Sequence, residues 1–221
     1  MAVYDLEEQE QIDELKTWWK QYGNLVTAFV VAVALSVVGW QSWNWWQRSQ
    51  AAQAAAAYGT LQQAAAAHDA RRAREAASEL IDKFSGTSYA GLAALLSAKV
   101  QFEAGDLKTA KLQYGWAAEH ARDPEQRDLA RLRLAAVLLD EKAYDEALKQ
   151  LAAEPSAPFA VLYGEQRGDI LVAQGKMSEA KAAYEAALAK LKASDTGTAE
   201  SRNAPYREVL QIKLESSGGK S

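Results

Sequence analysis

From Tyr22 to Trp46 the chain runs twenty-five residues without a charge, YGNLVTAFVVAVALSVVGWQSWNWW. The most apolar part is Leu25–Val38, where only Thr27 and Ser36 interrupt. A helix of about 20 apolar residues crosses the roughly 30 Å hydrocarbon layer of a bilayer. Tryptophan marks both ends: Trp18 and Trp19 on one side, Trp40, Trp43, Trp45 and Trp46 on the other, six of the seven in the chain. Indoles with an apolar body and a polar N–H collect at headgroup depth. The segment 22–46 is therefore read as a transmembrane helix with these six residues as interface anchors. A buried core helix explains neither the uncharged length nor the paired aromatic ends. A cleaved leader fits poorly too: its N-region is short and basic, whereas this one is acidic, and bulky tryptophans stand where small residues belong.

Ahead of the span, residues 1–22 carry six acids against Lys16 and Lys20, a net of −4 that equals the net charge of the whole chain. Leu6, Ile12, Leu15 and Trp19 fall near helical spacing, so residues 1–21 read as an acidic tail able to form a surface helix. Two lysines before the span and Arg48 after it favour a cytoplasmic N-terminus. Ala28, Ala32 and Ser36 recur every four residues, a spacing that lets one helix face approach another closely.

Beyond residue 47 the chain is alanine-rich, and alanine is the best helix former. No stretch alternates apolar and polar residues convincingly as a strand, so the class is all-α. Three segments align with one another: ALLSAKVQFEAGDLKTAKLQYGWAAEHA, LRLAAVLLDEKAYDEALKQLAAE and RGDILVAQGKMSEAKAAYEAALAKL. Superposition brings Ala98, Ala135 and Gly168 into register. Gly105, Lys142 and Gly175 follow, then Ala110, Ala147 and Ala180, then Tyr114, Leu151 and Tyr184. The small residue recurs after 37 and then 33 positions. Each unit reads as helix–turn–helix. A small residue on the first helix allows close approach, a glycine-tolerant turn takes positive φ, and a large residue one turn beyond the second helix's alanine fills the space beside it. Thirty-four residues before Ala110 stands Ala76, with Leu80 at the large position, a degenerate fourth copy. A period near 34 built this way is the tetratricopeptide pattern, and the whole reads as an irregular α-solenoid over 47–193. Residues 194–221 are read as a mobile connection (Ser194–Asn203) and a capping helix. There Pro205 sits in the first turn, and Leu210, Ile212 and Leu214 bury against the last repeat.

No catalytic grouping stands out. Cysteine is absent, which excludes thiol chemistry and cysteine-built metal sites, and the two histidines, His68 and His120, sit in segments that read as helix junctions. No phosphate loop, dinucleotide fingerprint or nucleophile elbow occurs. The expectation is a non-enzyme without cofactor or metal. A net charge of −4 argues against nucleic acid. Arg71, Arg72 and Arg74 read as a solvated face or, failing that, a contact for phospholipid or an acidic partner.

An acidic N-terminus (YDLEEQEQIDELKTWWKQYG), a tryptophan-ended span (VVGWQSWNWW), irregular repeats and a closing LQIKL, in that order, resemble the YfgM-type ancillary subunits of the SecYEG translocon of Gram-negative bacteria. The resemblance covers nearly the whole chain. It implies a single-pass inner-membrane protein with a periplasmic repeat domain. Its implied partners are the translocon and a membrane-anchored periplasmic chaperone of the peptidyl-prolyl isomerase type, to which emerging clients are handed. It also implies restraint of an envelope-stress regulator through the cytoplasmic tail. Two other readings stay open on the residues themselves: a scaffold or regulator working through the acidic tail, and a cell-wall or division accessory protein.

A solenoid presents the first helix of each repeat along its inner face. In the register above that face takes Lys99, Phe102, Glu103, Leu132, Ala136, Leu139, Asp140, Asp169 and Val172. This mixture of charge and apolar surface suits a peptide or a partner helix.

Overall fold

The computed structural model describes residues 5–194 and 198–217, with side chains from Ile12 to Ser194 and from Asn203 to Ser217. The side chains of the acidic tail up to Gln11, the junction at 195–197 and the glycine-containing end at 218–221 lie outside the described residues. Every regular element among the described residues is helical. Two units divide the chain between Gln50 and Ala51.

The first unit is the leading part of α1 (Asp5–Ala66). The helix already begins in the acidic tail, and Leu25, Phe29, Leu35 and Val38 all face outward from it. An uncovered helix that is apolar on every side is stable in lipid and not in water. α1 alone among the described residues is long and apolar enough to cross a membrane. The exposed indoles of Trp19 and Trp40 stand twenty-one residues apart, about 31 Å along the helix axis, which matches the hydrocarbon thickness. Ser36 within the span donates its hydroxyl to the Ala32 carbonyl at 2.8 Å, so its polar group needs no partner from outside the helix.

The second unit comprises the end of α1 with α2 (Ala70–Phe84), α3 (Ser88–Glu103), α4 (Leu107–His120), α5 (Pro124–Asp140), α6 (Tyr144–Gln150), α7 (Ala160–Ala173), α8 (Met177–Ser194) and α9 (Thr198–Ser217). Four turns, between α1 and α2, α3 and α4, α5 and α6, and α7 and α8, share one construction. His68, Gly105, Lys142 and Gly175 take φ of +53°, +82°, +61° and +75°. In each, the N–H of the left-handed residue bonds three residues back and the next N–H bonds five residues back, as in Gly105 N to Phe102 O (3.0 Å) and Asp106 N to Gln101 O (2.9 Å). This is the Schellman stop, which satisfies the last carbonyls of one helix. Asp69 and Asp106 then cap the next helix by accepting from the N–H of Arg72 and Thr109, each at 3.0 Å.

The shared turn corrects the register of the first copy. Counted from His68, the small position on α2 is Ala73 and the one a turn later is Ala77, both fully buried, whereas Ala76 is only half-buried. The partner position on α1 is Leu61, also fully buried and in the same apolar cluster. Sizes are therefore reversed: Leu61 is large and Ala77 small, where the later copies pair Ala98 with Tyr114, Ala135 with Leu151 and Gly168 with Tyr184. The usual small-then-large order is met instead three residues on, at Ala76 and Leu80.

Lys142 holds a left-handed conformation that its Cβ disfavours, at a position where the neighbouring repeats use glycine. Lys142→Gly is expected to raise stability by about 0.5–1 kcal/mol, the relief of strain exceeding the added freedom of the unfolded chain. A urea melt that moves to lower denaturant would refute this.

α6 is only seven residues long, and the chain leaves it through Pro155 and a 3-10 turn at Ala157–Phe159. Asp128, 4% exposed, pins this detour: it accepts from Ser156 N at 2.8 Å and Ser156 Oγ at 2.6 Å, with Arg131 at 3.6 Å. Tyr163 directs its hydroxyl to the same carboxylate at 3.3 Å, and burial, reinforced by Asp128, pushes that phenol up to about 12.

α9 closes the array but differs from the expectation in two ways. It begins at Thr198, so Pro205 lies inside the helix and residues 198–203 are helical. Ile212 is exposed while Leu210 is fully buried and Leu214 packs beside it. The reason is periodicity: positions two apart point a half-turn away on a helix, so 210, 212 and 214 cannot share one face.

Candidate partner-binding groove

The small residues Ala98, Ala135 and Gly168 face inward to the second helix of their own pair. Positions counted from them place the remaining side chains in rows across α3, α5 and α7. Six residues earlier runs a leucine row, Leu92, Leu129 and Leu162. One residue later runs Lys99, Ala136 and Asp169. Four later runs Phe102, Leu139 and Val172.

Between α1, α3 and α5 these rows enclose a groove of about 460 Å³. Leu92, Leu96 and Leu129 line it toward the start of the helices, and Phe102 lines it toward the end of α3. Tyr58 of α1 and Tyr114 of α4 complete the apolar lining, and Lys99, Glu103 and Arg133 supply the charge. Tyr58 also meets Tyr89, with ring centroids 5.8 Å apart. Lys99 and Glu103 approach to 3.7 Å on an exposed helix face, a contact contributing little.

Of the nine residues expected on the inner face, Lys99, Phe102, Glu103 and Ala136 line the groove. Asp140 is exposed elsewhere. Leu132 is buried in the main core and Leu139 packs against it, because they stand on the side of α5 that turns toward the neighbouring helices. Val172 packs into the apolar cluster of α7, α8 and α9.

Asp169 has an internal task. Its Oδ1 accepts from the Tyr184 hydroxyl at 2.7 Å, and Lys213 of α9 reaches its two oxygens at 2.9 and 2.8 Å. Glu165, one turn earlier, binds the same ammonium at 2.7 Å and the Tyr206 hydroxyl at 2.5 Å. This polar latch fastens α9 to α7. Burial and the hydrogen bonds to these carboxylates drive both phenols well above their ordinary range. Burial alone would lower the Lys213 ammonium, but the Asp169 and Glu165 carboxylates outweigh it and the net shift is upward.

Sequence reasoning did not single out Tyr58, Leu92, Leu96, Leu129 or Arg133 as groove residues. The signal was present: the leucine row and the Arg133 position repeat in the same register as the small residues. Among the described residues no group of three or more histidines, acids or cysteines is placed to hold a metal. Arg71 and Arg72 are engaged with Glu75 and Asp69 on the exposed face of α2.

The model of the tetratricopeptide repeat-like domain family matches residues 16–219. An ancillary SecYEG translocon subunit of Neisseria gonorrhoeae is 32% identical over 217 residues, covering 98% of this chain and 99% of that protein. The chain belongs to the family of ancillary SecYEG translocon subunits. Within that family the Haemophilus influenzae protein is 32% identical over 186 residues, 84% of this chain and 90% of its own length. The Escherichia coli protein is 26% identical over 214 residues, 97% of this chain and 98% of its own. Family membership accounts for an interaction-type fold, a helical solenoid behind one apolar N-terminal helix, with the groove set on its repeat domain.

Proposed function

We propose that this family member is a membrane-anchored interaction module that associates with the Sec translocon and passes translocated proteins to a periplasmic chaperone of the peptidyl-prolyl isomerase type. Near full-length similarity to proteins named as ancillary translocon subunits carries the reading. The uncovered apolar helix with indoles about 31 Å apart supports a single-pass anchor in the inner membrane. Lys16 and Lys20 before the span, against Arg48 after it, support a cytoplasmic tail and a periplasmic repeat domain. The groove gives that domain an apolar surface on which a polypeptide segment can be held.

In-cell crosslinking from a photoreactive residue at Ala32 or Phe102, with products identified by mass spectrometry, tests this. The expected products are translocon subunits at Ala32 and a periplasmic foldase or translocating chains at Phe102. Cell-wall enzymes at Phe102 would replace the reading with an envelope accessory role, and cytoplasmic proteins there would invert the topology.

A further inference from the structure

The fourth and second helix pairs of the array differ by one missing group. In the α7–α8 pair, Tyr184 donates its hydroxyl to the Asp169 carboxylate, and that carboxylate is held by Lys213 from the next helix of the inner face. In the α3–α4 pair the same register places Tyr114 where Tyr184 stands, Lys99 where Asp169 stands, and Arg133 on the next inner helix. The phenol and the cations are therefore present; the one carboxylate lining the groove, Glu103, faces Lys99 at 3.7 Å, and among the described residues none accepts from Tyr114 as Asp169 accepts from Tyr184. Tyr114 is only 4% exposed, yet it lines the groove and its hydroxyl has no hydrogen-bond acceptor among the described residues. Arg133 is exposed at the same groove with no carboxylate partner among them. A hydroxyl that opens on the groove is free to donate to an acceptor brought there, and a guanidinium beside apolar surface favours a planar anion.

We infer that the groove takes a polypeptide segment whose side-chain carboxylate seats between Tyr114 and Arg133, completing in trans the arrangement that Asp169 completes in cis. Apolar side chains flank that carboxylate on both sides. Leu92 and Leu129 lie toward the start of the inner helices and Phe102 toward the end of α3, with Lys99 and Arg133 between them. A carboxylate with apolar neighbours before and after it belongs to an internal Asp or Glu, not to a chain end. This inference deepens the proposed function by giving the chemistry of the captured segment, and it rests on that reading for its biological setting.

The test uses the full chain in detergent micelles and three labelled peptides, read by fluorescence anisotropy. The first is blocked at both ends and carries one glutamate between two leucine–phenylalanine pairs. The second replaces that glutamate with glutamine. The third is the glutamine peptide with a free C-terminal carboxylate. The glutamate peptide is expected to bind about tenfold more tightly than either other. Tyr114→Phe and Arg133→Gln are each expected to remove most of that preference, while Phe102→Ala weakens all three peptides alike. Tyr114→Phe keeps the buried ring, and an unchanged thermal melt shows that its fold is intact. Equal binding of glutamate and glutamine peptides overturns the inference, as does a preference that survives both variants. Tight binding of the third peptide overturns the internal carboxylate. Co-purification of the same variants with translocon subunits separates the two ideas. If it persists while peptide discrimination fails, only the groove chemistry falls, and if it is lost for the unaltered chain, the proposed function falls.

Discussion

Gly168→Ala is expected to destabilise the repeat domain by about 1–3 kcal/mol, although alanine is normally the better helix residue. In an open helix the change would gain roughly 0.5–1 kcal/mol. Here a Cβ at Gly168 would lie 2.3 Å from Cε1 of Tyr184 and 2.6 Å from Cζ, inside the ring's van der Waals surface. The ring has little room to retreat, because its hydroxyl is held by Asp169 at 2.7 Å and its body is buried. The clash outweighs the propensity gain, and at about 2–4 °C per kcal/mol the melting temperature should fall by several degrees. Tyr184→Leu should restore much of the loss in the double variant, since leucine already stands opposite alanine in the Ala135–Leu151 pair. The observation that would defeat the account is a Gly168→Ala melt at or above that of the unaltered chain.

Lys213→Met should loosen α9. The ammonium is shared by Glu165 and Asp169, and its side chain is 30% exposed, against 17% and 33% for theirs. Removing one partner from a fully buried pair costs about 3–5 kcal/mol, and an exposed pair is worth roughly 0–1. The partial exposure places this latch between them, at about 2 kcal/mol of destabilisation. Hydrogen exchange should locate the effect in α9 and leave α3–α5 protected. The pH dependence has a definite sign. The folded state raises the pKa of Lys213 and of the Tyr184 and Tyr206 phenols, so it binds these protons more tightly than the unfolded chain. The stability they contribute is complete below about pH 10, the ordinary titration range of these groups, and is lost as pH rises through the folded values. Alkaline titration should release α9 before the central helices. Simultaneous loss of protection throughout the domain would mean that the latch does not control its end.

How much of this was legible depended on whether a residue's role is set locally or by its neighbours. The span announces itself by length and tryptophan, and α1 bears that out as an apolar helix. The repeat register was legible wherever small and large residues keep their order, and Gly105 and Gly175 take positive φ as their type suggests. The first copy escapes the pattern because its sizes are reversed. Asp169 looks partner-facing in the sequence because nothing near it announces Lys213, forty-four residues away. Leu132 and Val172 fall on the inner face by register alone, because the register gives the row of a residue, not how closely the next helix covers it. Asp128 carries no local signal, since its partners at Ser156 and Tyr163 come from distant segments.

The reversed pair Leu61 and Ala77 bears on how such an array diverges. Converting the order found in the later repeats into this one takes two substitutions, and each alone is penalised. Enlarging the first helix's residue first sets two bulky side chains against each other, at about 1–3 kcal/mol. Shrinking the second helix's residue first leaves a void, at about 2–5 kcal/mol. A domain with ordinary stability has about 5–15 kcal/mol to lose, so either intermediate survives only on a background with reserve. Hairpins of this kind should exchange size as linked pairs, and a chimera that joins α1 of this chain to a second helix from another repeat would inherit a mismatch that neither parent shows.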